Sequence, residues 1–123
     1  MKKPAITYFD VGPLPIFFGA TNNLKAFKRE LKRHKIYVDA ESYGGLASTY
    51  TFVSETTGTL VIVTLNKKVS KRALRGVCAH EAHHVAHSAI AAMNDIGDAS
   101  EETWAYLVQW ATDCLYEELS KKN

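Results

Sequence analysis

The chain has 123 residues, enough for one domain and too few for two ordinary ones. Hydrophobic residues make up 46%, so a core can form without disulfides. A net charge of +2, from 15 basic and 13 acidic residues, gives no reason to invoke nucleic acid or an anionic membrane. No apolar run is long enough to span a bilayer.

The opening Met1-Lys2-Lys3 looks like a signal n-region, but Pro4, Asp10, Pro13 and Pro15 break the segment behind it. A cytoplasmic protein is therefore expected. Ala5–Phe9 and Leu14–Phe18 are short apolar runs, readable as strands or as an irregular arm. Thr21 offers an N-cap for a helix over Asn22–His34, where Leu24, Phe27 and Leu31 recur at helical spacing. Lys25–Lys35 and Lys67–Arg75 are basic clusters, read as a solvated helix face and a charged loop. Ile36–Val38 is expected as a short strand. After Gly44-Gly45, Ser48–Ser54 alternates and is rich in Thr, Tyr, Phe and Val. Glu55–Gly58 reads as a hairpin turn into Thr59–Leu65, the strongest strand signal in the chain. Asn66–Val69 leaves the sheet, and Ser70 can cap a helix running to about Met93. Asn94–Asp98 reads as a loop. Asp98 with Glu101 forms a capping-box pattern for a last helix reaching about Leu119. The two cysteines, Cys78 and Cys114, fall on these helices and read as buried free thiols in a reducing compartment.

The helix from Ser70 to Met93 contains His80-Glu81-Ala82-His83-His84, an H-E-x-x-H run. Residues four apart lie above one another on a helix, so His80 and His84 can turn their imidazoles toward one metal ion. At about 100° per residue, the apolar stripe of Leu74, Val77, Cys78, Val85, Ala89 and Ala92 places Glu81 near its middle. His80 and His84 fall on one flank, and His83 points roughly away. An acidic residue on an inward face needs a reason, because an unpaired buried charge is costly. A metal-lined cleft supplies one. Catalytic zinc sites keep three protein ligands and a position for water, whose proton Glu81 would take as general base. The third ligand must come from elsewhere. Glu101 and Glu102 open the next helix, and either carboxylate could close the site. Periodicity sets Glu101 nearer the face of Trp104, Val108, Ala111 and Leu115, and Glu102 on a flank with Ala105, Tyr106 and Gln109.

An H-E-x-x-H helix, a short loop and a second helix opening with Glu resemble the gluzincin branch of zinc metallopeptidases, including short phage-encoded chains. The resemblance covers Leu60 to Leu119. In compact members the second helix reads E-x-x-A followed by an aromatic or polar residue, and Glu102-Thr103-Trp104-Ala105-Tyr106 is similar to that frame. The resemblance implies a single α+β, zincin-like domain over residues 1–123, with a small, mainly antiparallel sheet packed on helices. It also implies one zinc held by His80, His84 and Glu102, with Glu81 catalytic and a peptide or protein as substrate. For a phage-encoded chain the compartment is the host cytoplasm. Tyr106, Glu101 and His87 are candidates for a supporting or oxyanion role. In zincins the sheet edge beside the site helix pairs with an extended peptide. Ser48–Ser54 and Thr59–Leu65 are both candidates for that edge.

Rival assignments stay open at this level. His83 and His87 are also four apart, without a Glu after the first. Trp104, Tyr106 and Trp110 serve equally as packing residues. The site could also be a zinc-stabilised binding or regulatory module with a peptidase-like fold and no catalysis.

Overall fold

In the computed structural model, which describes residues 5–38, 44–56, 58–93 and 100–121, the chain is a small α+β domain. Its described residues form four strands, β1 (Thr7–Tyr8), β2 (Ile16–Thr21), β3 (Ala47–Ser54) and β4 (Gly58–Leu65). Three helices accompany them, α1 (Leu24–Arg33), α2 (Lys71–Ala92) and α3 (Glu101–Leu119). No described helix is long and apolar enough to cross a membrane.

The sheet order is β1-β2-β4-β3. β3 and β4 form the expected hairpin, antiparallel from Ala47 opposite Leu65 to Ser54 opposite Gly58. β2 runs parallel to β4, with Ile16 opposite Thr59, so the sheet is mixed. β4 is interior and buried on both sides, which is why it reads as the near-continuous apolar run Leu60-Val61-Ile62-Val63. Successive side chains alternate between the faces. Val61, Val63 and Leu65 join Ile16, Phe18 and Ala20 against Leu74, Cys78, Val85, Ala111 and Leu115 of the helix pair. Ile62 joins Phe27 and Leu31 of α1, with Leu60, Tyr50 and Phe52 beside them. The sheet is thus covered on both faces, by α2 and α3 on one and by α1 on the other.

Helix ends follow local chemistry. Asn23, not Thr21, caps α1: its backbone is extended and its side chain accepts from Ala26 N at 3.0 Å. Thr21 belongs to β2, and its hydroxyl accepts from Asn23 N instead. α1 ends in a Schellman motif, with Ile36 N donating to Leu31 O at 2.9 Å and Lys35 N to Lys32 O at 3.0 Å. Lys35 takes the left-handed conformation, φ 59°, that this ending needs. The turn folds Ile36 back onto the α1 cluster, so Ile36–Val38 is not a strand. Ser70 caps α2 as expected, accepting from Ala73 N. Ser100 caps α3, accepting from Thr103 N at 3.1 Å. The cap expected at Asp98, like the Asn94–Asp98 loop, lies outside the described residues.

β1 crosses β2 closely at Gly19, where a Cβ would stand 2.7 Å from Ile6 Cγ2 and 3.0 Å from the Tyr8 ring. The same Tyr8 donates its hydroxyl to Glu30 of α1, which also accepts from Arg33 Nε at 2.8 Å and Nη2 at 3.0 Å. The Arg33 bonds, with that from Tyr8, hold the Glu30 carboxyl down at about 2. A carboxyl depressed by folding stabilises the fold above its unfolded value of about 4.3, and that contribution is lost as pH falls through the folded value. Glu30→Gln should therefore lower the urea midpoint near neutral pH. Its deficit against wild type should shrink below about pH 4.5 and vanish near pH 2. A deficit that stays constant across that range would show that the ion pair contributes nothing through its charge.

Candidate metal centre

α2 lies against the β3 side of the sheet with its H-E-x-x-H turn beneath the strand. Glu81 is on the inward face and only 5% exposed. Its Oε1 accepts a hydrogen bond from Thr49 Oγ1 at 2.9 Å. Its Oε2 lies 3.8 Å from His80 Nε2. The His80 and His84 rings stand one turn apart, 5.2 Å between centroids and inclined by 70°. Both histidines are exposed, with the His80 side chain at 71%. Together the three residues line a cleft of about 300 Å³ whose other wall is Ala47, Ser48, Thr49 and Tyr50 of β3.

The two imidazoles from one helical turn are nitrogen donors of the kind a borderline divalent ion takes, and the Glu81 carboxylate beside them opens on the same cleft. The third ligand is where sequence and geometry part. Glu101 and Glu102 are both exposed in the first turn of α3. Among the described residues no three His, Cys, Asp or Glu side chains are grouped closely enough to hold a metal ion. The pair His80 and His84 is brought together; Glu102 is not drawn into a cluster with it.

His83 and His87 take a different place. Both face Trp104 of α3, with centroids at 5.4 Å (22° between planes) and 6.0 Å (37°) respectively. Trp104 is thus a packing residue between the helices, and the His83–His87 frame is occupied by that contact. Tyr106 is 66% exposed. Trp110 packs edge-on to Phe18 in the core. Cys78 and Cys114 are free thiols; Cys78 is buried as expected, whereas Cys114 is half-buried. Burial, and then the charge of Glu81, pushes the Cys78 thiol up to about 11. Burial likewise raises Cys114.

Two features were missed from sequence. Thr49 is the hydrogen-bond donor to Glu81, and the alternation of Ser48–Ser54 already set Thr49 and Thr51 on one strand face. A second, larger groove of about 1080 Å³ is lined by Phe17, Ile36, Phe52, Val53 and Leu60 with Arg33 and His34, and shares no residue with the histidine cleft. No known protein family matches the chain, and no curated protein or solved structure does either.

Proposed function

We propose that the chain is a zinc-dependent peptidase of compact gluzincin type, with a zincin-like arrangement of sheet and site helices. The observation that carries this reading is a carboxylate buried beside two exposed imidazoles, all three opening into one cleft beside a strand. Burying an acidic side chain there has a cost that a purely structural helix would avoid with an apolar residue. His80 and His84 would hold the metal, with Glu102 as the third ligand by its likeness to the E-x-x-A frame. Zinc, when bound, supplies a Lewis acid that polarises a carbonyl and eases deprotonation of water. Glu81 would take a proton from the attacking water as its oxygen bonds to the carbonyl carbon and the C=O pair moves to oxygen, and would then give that proton to the amine nitrogen as the pair returns and the C–N bond breaks. β3 is an edge of the sheet in the described residues, and none of its eight residues is charged. Its Ala47–Tyr50 stretch borders the cleft, where an extended peptide would lie alongside the strand.

Elemental analysis of protein purified without chelator tests the metal half of the proposal. About one zinc per chain is expected in wild type and almost none in His84→Ala. Glu102→Ala should weaken zinc binding far more than Glu101→Ala. Wild type that holds no zinc, even after incubation with excess, would end this reading.

A further inference from the structure

Two hydroxyl bonds tie the edge strand to the site helix. One joins Thr49 Oγ1 to Glu81 Oε1 at 2.9 Å, and the other joins Thr51 Oγ1 to Ser88 Oγ at 2.5 Å. Thr49 and Thr51 are two apart on β3 and share a face; Glu81 and Ser88 are two helical turns apart on α2 and both are buried. The bonds differ in chemistry, hydroxyl to carboxylate in the first and hydroxyl to hydroxyl in the second, and in what they hold.

We infer that Thr49 is a positioning residue for Glu81, pinning one carboxylate oxygen so that the other is presented toward the imidazole pair, while the Thr51–Ser88 bond serves the fold alone. The inference rests on the peptidase reading for its catalytic half. The last torsion of a Glu side chain is broad and roughly two-fold, so an unpinned carboxylate would swing. Thr49 is well suited to stop it. Its branched side chain is stiff at χ1, and the strand fixes its backbone. A hydroxyl that donates to a carboxylate makes a stronger bond than a neutral pair, and this one is part-buried. With Oε1 engaged by Thr49, Oε2 is left on the side of His80 Nε2, 3.8 Å away. Thr49 also lines the cleft, so the strand that would align a peptide also fixes the base that acts on it.

The test has two arms. In the first, urea unfolding of the metal-free full chain is measured for Thr49→Val, Glu81→Ala and the double variant. The two single effects on the unfolding constant should fail to multiply by about tenfold, whereas Ser88→Ala combined with Glu81→Ala should multiply to within about twofold. Absence of coupling between Thr49 and Glu81 would overturn the inference whatever the protein does to peptides. In the second arm, the zinc-loaded chain is assayed on the best-cleaved member of a set of internally quenched peptides. Thr49→Val should lower kcat by about ten- to a hundredfold with KM nearly unchanged, and Thr49→Ser should restore most of it. Ser88→Ala should lower the melting temperature yet leave kcat near wild type. Equal kcat in Thr49→Val and wild type overturns this inference alone. Wild type that cleaves none of the set overturns the peptidase reading beneath it.

Discussion

Glu81→Gln is expected to keep its zinc and to lose hydrolysis by about 10²–10⁴-fold, the range that a positioned general base contributes. The substitution keeps the shape of the side chain, and its amide oxygen can still accept from Thr49, whose donor sits 2.9 Å from Oε1. It removes the one property the chemistry needs, a carboxylate that takes and returns a proton. Zinc content and initial rates should be read on the same preparation, since loss of metal would mimic loss of the base. A variant that retains zinc and cleaves as fast as wild type would remove Glu81 from the mechanism. The kcat-against-KM split adds a second check. A group acting only in the transition state lowers kcat and kcat/KM together, whereas one that merely binds substrate raises KM.

The second large effect concerns the fold. Phe18 is fully buried at the centre of β2, 4.7 Å between ring centroids from Phe9 and 5.4 Å from Trp110. Phe18→Ala leaves a void between the sheet and α3 and should cost about 3–5 kcal/mol. That is a large share of the roughly 5–15 kcal/mol by which domains are stable. The urea midpoint should fall with an unchanged slope. Val53 provides the contrast: it is 78% exposed, and Val53→Ala should stay within about 0.5 kcal/mol of wild type. If the two variants were equally stable, the sheet–helix core would not be where the folding energy lies.

The parts of this molecule that were legible in its sequence are those specified locally. The β3–β4 hairpin follows from alternation and a short turn. The span of α2 follows from Ser70 at its start and an apolar stripe that runs through Leu74, Cys78, Val85 and Ala89. The inward position of Glu81 followed from the same periodicity. What was not legible depends on distant parts of the chain meeting. The parallel pairing of β2 with β4 joins segments separated by α1 and β3, and no local pattern announces it. Ile36 and Val38 have strand-forming side chains, but the left-handed Lys35 turns them onto α1, and the free edge of β4 is taken by β3. The role of Thr49 shows the same limit at the site. Its face was predictable, but its partner 32 residues away was not. The choice between Glu101 and Glu102 turns on side-chain direction in the first turn of a helix, where periodicity is the weakest guide.

The two indoles stand in unlike surroundings, and that makes the protein its own spectroscopic reporter. Trp110 is half-buried and lies edge-on to Phe18 against the core, so its emission will shift when the whole domain opens. Trp104 lies against the imidazoles of His83 and His87 at the junction of the two long helices, and its emission follows that junction. With each indole replaced by Phe in turn, one optical signal separates loosening beside the histidines from melting of the domain.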